Sequence, residues 1–99
     1  MGKLMYMVML EKSKSYNRLT KKVVTEHVDN IRRLDDEGNL QIWGVFKGYP
    51  GMAGMYILKA ESREEAEKLC LMEPLIIGGY ATYKLVDFQV ANRENNYLL

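Results

Sequence analysis

The chain holds a single histidine, His27, and its neighbours make it unusual. Val24, Val28, Ile31 and Leu34 recur at the spacing of one helix face, and His27 falls among them. An imidazole set in an apolar stripe is partly desolvated, which favours its neutral form. A neutral imidazole at the rim of a pocket can serve as a general base. The same placement also suits a core histidine whose nitrogens bond backbone groups. The residues alone leave both readings open.

Glu73 is the second candidate for chemistry. It precedes Pro74 and reads as the end of a helix, where the dipole is negative and a carboxylate is unfavourable. It is either an exposed surface residue or a carboxylate that orients and charges an imidazole. Trp43, Tyr56 and Tyr80 are candidates to line a binding site, the tyrosines with hydroxyls that donate to a ligand. Most of the other aromatic and methionine side chains read as core. Cys70 lies on an apolar helix face and reads as a small buried hydrophobe. One histidine and one distant cysteine give no metal-ligand spacing. Gly48, Gly51 and Gly54 are not a dinucleotide fingerprint, because no helix follows them, and neither a phosphate loop nor a nucleophile elbow is present. No cofactor and no metal are expected.

The elements that must position these residues follow from periodicity. Leu4 to Glu11 is almost continuously apolar, with Met5, Met7 and Met9 on one side and Leu4, Tyr6, Val8 and Leu10 on the other. Such a strand is covered on both faces. Thr20 to Glu37 is an amphipathic helix, capped by Asn17 or Thr20 and stopped by Gly38. Leu40 to Lys47 and Met55 to Ala60 are strands, separated by a loop over 48–54. Ser62 and Glu65 form a capping box for a second helix, whose apolar face is Ala66, Leu69 and Cys70 and which ends at Glu73-Pro74. Leu75 to Gly79 is a connector, and Ala81 to Val90 is the fourth strand. Asn92 to Leu99 is a tail, either frayed or docked through Tyr97, Leu98 and Leu99.

That order is βαββαβ, a ferredoxin-like α+β fold with a four-stranded antiparallel sheet and two helices on one face. The length fits one domain over 1–99, with a core over 4–90 and a tail over 91–99. The other sheet face has no cover within the chain, although the strands carry apolar side chains towards it. The simplest cover is a second copy, giving a homodimer through the open sheet face. The 14 basic and 13 acidic residues leave a net charge of +1, no footprint for nucleic acid or an acidic membrane. No apolar run reaches the length of a membrane span, and the start through Leu10 lacks a signal cleavage site. The lone Cys70 points to a reducing cytoplasm.

The ordered set of features resembles the YCII-related (YciI-like) family over about residues 4 to 90. The carriers are His27; Asp36-Glu37-Gly38-Asn39-Leu40; Trp43-Gly44; Ile57 to Ser62; Glu64-Glu65-Ala66-Glu67; Glu73-Pro74; and Gly78-Gly79. The resemblance implies a dimeric α+β barrel and a histidine–aspartate site. The histidine carries over to His27. The aspartate position of the family's Asp-Pro is Glu73 here, which keeps the charge and adds a methylene. The wider superfamily also holds muconolactone isomerases, and the stretch from Glu73 to the connector is similar to theirs. The implied activity is proton transfer by His27, oriented by Glu73, in isomerisation or elimination on a small cyclic or aromatic-derived substrate. A non-catalytic small-molecule-binding or structural dimer, and a cofactor-free monooxygenase, are the alternatives.

Overall fold

The computed structural model describes residues 4–98, and the expectations for Met1–Lys3 and Leu99 fall outside it. Strand β1 (Leu4–Lys12) is central. Tyr6, Val8 and Leu10 are buried on one side of it, as the alternation predicts.

Helix α1 (Lys21–Asp36) begins where the Thr20 hydroxyl accepts the Val23 amide at 3.2 Å. It ends at Glu37, followed by Gly38 at φ +77°, a left-handed conformation that glycine adopts without Cβ strain. Its buried stripe is rotated from the one expected. Val23, His27, Asn30, Ile31 and Leu34 face inward, whereas Val24 and Val28 are exposed. His27 takes an inner position because it finds a partner there, whereas Asn30 bonds only within its own helix and its buried Nδ2 has no partner among the described residues. Asn30 accepts from Arg33, and His27 meets a carboxylate.

Strand β2 (Leu40–Val45) is two residues shorter than expected, and β3 (Met52–Leu58) starts three residues earlier. Met52, Ala53 and Gly54 were expected in the loop, yet Gly54 pairs with both Leu10 and Val45. Its glycine serves close approach rather than a turn. A Cβ there would run into the Gly44 carbonyl oxygen, with Val45 Cα at 3.1 Å.

Helix α2 (Arg63–Cys70) forms the Ser62 half of its capping box, the hydroxyl accepting the Glu65 amide at 3.1 Å. The expected connector contains a one-turn helix, α3 (Pro74–Ile77), with Glu73 as its N-cap and Pro74 in its first turn. Glu73 therefore caps a new helix instead of ending the previous one, which removes the unfavourable dipole expected for it. Strand β4 (Ala81–Gln89) stops one residue before Val90. In the tail, Asn92 and Asn95 build a reciprocal cap around a short turn, and Tyr97 and Leu98 stay exposed on this chain, not docked.

The sheet order is β2-β3-β1-β4, antiparallel throughout. The core lies between its inner face and the helices. Val8, Leu10, Tyr56 and Leu58 from the sheet meet Leu34 of α1, Ala66 and Cys70 of α2, and Leu75 of α3. Each large apolar side chain buried this way contributes about 1.5–3 kcal/mol. The outer face pairs Met5 with Phe88, Met7 with Val86 and Ile57, and Met9 with Met55. Ile42, Val86 and Phe88 on that face remain 51%, 45% and 38% exposed. No helix among the described residues is long and apolar enough to cross a membrane.

Candidate active site

His27 and Glu73 lie 46 residues apart in the sequence and meet where α1 crosses the start of α3. The imidazole Nδ1 lies 2.9 Å from Glu73 Oε1 and 3.0 Å from Oε2. Oε2 also accepts the Leu75 amide at 2.9 Å. The Glu73 side chain is fully buried, and that of His27 is 12% exposed. An exposed surface glutamate is thus excluded. A buried carboxylate costs several kcal/mol unless it is bonded and paired, and here the Leu75 amide and the imidazole together meet that demand.

This contact decides the tautomer. A carboxylate only accepts hydrogen bonds, so Nδ1 carries a hydrogen and donates it to Glu73. In the neutral ring the lone pair then resides on Nε2, which bonds no group among the described residues.

The ring of Trp43 meets that of His27 edge to face, with centroids 5.1 Å apart. Tyr56 lies behind Trp43 at 5.3 Å. It is almost wholly buried, and its hydroxyl has no hydrogen-bond partner among the described residues. Burial first, then the charge of Glu73, holds the Tyr56 phenol above its ordinary range, so it stays neutral. Tyr80 stands apart. Its amide donates to the Leu75 carbonyl at 2.9 Å, and its carbonyl accepts the Ser13 amide at 3.0 Å, tying α3 to the end of β1.

A cavity of about 170 Å³ opens beside the imidazole, lined by His27, Trp43, Tyr16, Leu19, Val24, Val45, Ala53 and Leu75. Of the residues singled out from sequence, His27 and Trp43 reach it. Glu73 and Tyr56 stand behind these two, and Tyr80 is not part of the lining. Sequence reasoning missed Tyr16 and Leu19. The available signal was an aromatic and a leucine inside the otherwise polar stretch 12–22. No three His, Cys, Asp or Glu side chains among the described residues gather closely enough to hold a metal ion.

A ferredoxin-like α+β sheet with a buried carboxylate–histidine pair beside an apolar cavity defines a class of small α+β domains with a candidate ligand site. The YCII-related domain profile matches residues 4–89, and the chain belongs to that family. The solved structures that share the fold include the following two. One is 5-chloro-2-hydroxyhydroquinone dehydrochlorinase from Burkholderia phenoliruptrix AC1100, in complex with 2,5-dihydroxybenzoquinone. It is 15% identical with a TM-score of 0.73, over 92% of this chain and 98% of that one. The other is muconolactone isomerase, 13% identical with a TM-score of 0.61, over 90% of each chain. Both are proteins of the dimeric α+β barrel superfamily. No curated protein sequence matches the chain.

Proposed function

We propose that this protein is a small enzyme that moves a proton on a single-ring substrate, with His27 as the base and Glu73 as the group that orients it. The observation that carries the reading is the Glu73 carboxylate on Nδ1, which leaves the Nε2 lone pair of a cavity-lining imidazole free. Cavity size supports a single ring, since about 150 Å³ suffices for benzene. Nε2 takes a proton from a carbon or hydroxyl of the substrate. The electron pair left behind moves into the ring system. It either expels a leaving group from a neighbouring carbon, an elimination, or is reprotonated elsewhere by the imidazolium, an isomerisation. Glu73 stabilises the imidazolium while it lasts.

The chain acts as a single domain in this reading and pairs with a second copy through the apolar outer sheet face. Ile42, Val86 and Phe88 support that pairing, because such a patch is costly to leave in water. Cys70, buried and unpaired, supports a cytoplasmic setting.

The test is a turnover screen with chlorinated hydroquinones and unsaturated lactones in deuterated water. Chloride release or deuterium incorporation that disappears in His27→Ala is the expected result. No turnover across the panel favours a non-catalytic binding module instead, and turnover that survives His27→Ala removes His27 from the role of base.

A further inference from the structure

Cations and carboxylates nearly cancel over the whole chain but not along it. Lys12, Lys14, Arg18, Lys21 and Lys22 fall within residues 12–22, a stretch with no Asp or Glu. None of the five forms an ion pair among the described residues, whereas Arg32, Arg33, Arg63 and Lys84 each face a carboxylate. Helix stability does not account for this placement. Lys21 and Lys22 open α1, whose first turn holds no acidic residue, and cations there oppose the helix dipole.

The same stretch supplies one wall of the cavity through Tyr16 and Leu19. Arg18 lies between those two residues, and Lys21 and Lys22 lie between Leu19 and Val24, another lining residue. Lys12 is held more definitely. Its ammonium sits 4.9 Å from the centroid of the Tyr16 ring, a cation–π contact that fixes it beside the cavity wall. Glu73 is sealed behind His27 and already accepts from two donors, and Glu11 faces Lys84. Glu26 and Asp29 line a different, shallow cleft with Arg33 and Met72. The stretch that walls the apolar cavity through Tyr16 and Leu19 is thus one that carries unpaired cations, and Lys12 is placed against that wall by its contact with Tyr16.

Building on the cavity as the ligand site, we infer that its ligand is an anion, a ring bearing a carboxylate or an ionised hydroxyl, and that Lys12 over Tyr16 is a specificity-determining contact for that charge. The apolar lining holds the ring. The ammonium takes the charged substituent at the mouth, where part of its hydration is retained. The remaining four cations raise the local concentration of anions through their summed field.

Trp43 is the only tryptophan and lines the cavity, so its fluorescence reports binding without any turnover. The probes are benzoate against benzamide, and pentafluorophenolate against pentafluoroanisole. Wild-type protein is expected to bind at least one anion more tightly than its neutral counterpart, and the pair that responds tells carboxylate from ring oxyanion. Lys12→Gln should weaken the anion by about two- to fivefold, the size of a single exposed charge contact, and leave the neutral probe unchanged. Raised salt should reproduce the loss in the wild type. Equal affinity for anion and neutral probe, no response to any of the four, or an anion preference that survives Lys12→Gln overturns the inference. His27→Ala turnover reads the proton-transfer role separately, so either idea can fail alone.

Discussion

Replacing Glu73 by glutamine changes the chain by one charge and almost no volume. In the native site, Oε1 and Oε2 lie 2.9 and 3.0 Å from His27 Nδ1, and Oε2 accepts the Leu75 amide. A glutamine has one acceptor oxygen in place of two. If that oxygen keeps the Leu75 amide, the NH2 group is turned towards His27. The imidazole then satisfies it only by presenting an unprotonated Nδ1, which moves the ring hydrogen to Nε2. Two consequences follow from the same geometry. Exchanging a charge-assisted bond for a neutral one costs about 1 kcal/mol, and a chain of this size loses roughly 4–8 °C in Tm for each kcal/mol. The base disappears from the cavity side of the ring, which lowers turnover by about 10²–10⁴, the usual weight of a positioned general base. A single histidine makes the assay unambiguous. Long-range ¹H–¹⁵N correlation should show the Nδ1–H tautomer in the wild type and the Nε2–H tautomer in Glu73→Gln. A wild-type ring protonated at Nε2 would refute the reasoning, as would a variant with unchanged tautomer and unchanged Tm.

Burial raises the Cys70 thiol from its ordinary 9.0 to about 12, with Glu67 adding to the shift. The folded chain therefore holds that proton longer than the unfolded one. The associated stability is complete below pH 9 and is lost between 9 and about 12, at up to about 1.4 kcal/mol per pH unit. Chemical denaturation of Cys70→Ala across pH 8–10 should lack that alkaline decline, and an equally steep decline in the variant would rule the cause out. Gly54→Ala forces a Cβ onto the Gly44 carbonyl and should cost about 1–3 kcal/mol by thermal melting, with a neutral result showing that β2 can shift aside. Phe88→Glu places a charge on the outer sheet face and should convert a dimer to a monomer in sedimentation velocity. An unchanged sedimentation coefficient would remove that face from the interface.

Elements with a strong local signal were legible in the residues. Thr20 caps α1 and Ser62 caps α2 because a hydroxyl next to a helix start satisfies an orphan amide whatever lies around it. The alternation of Tyr6, Val8 and Leu10 is equally local, since a strand sends every second side chain to the same face. The boundaries of β3 were not legible. Gly54 carries a turn signal by composition, and only its two strand partners show that the missing Cβ makes room for the Gly44 carbonyl.

The site divides in the same way. The sequence by itself determined the βαββαβ order, the position of its lone histidine on an inward helix face, and a charged residue before Pro74. These are properties of nearest neighbours and of the helical and strand periods. It could not determine which way α1 turns, so Val24 and Val28 were placed inside and the inward position of Asn30 was not foreseen. A helix of mixed character is oriented by the partners it meets, and the partner that mattered lies 46 residues away. Only the tertiary structure decided that Glu73 is buried, that it starts a helix, and that its two oxygens and the Leu75 amide set the tautomer of His27. The burial of Glu73 and the tautomer of His27 depend on contacts between segments distant in the chain, which no local pattern records, whereas the Glu73 cap on the Leu75 amide is local and was missed because Glu73-Pro74 also reads as a helix end.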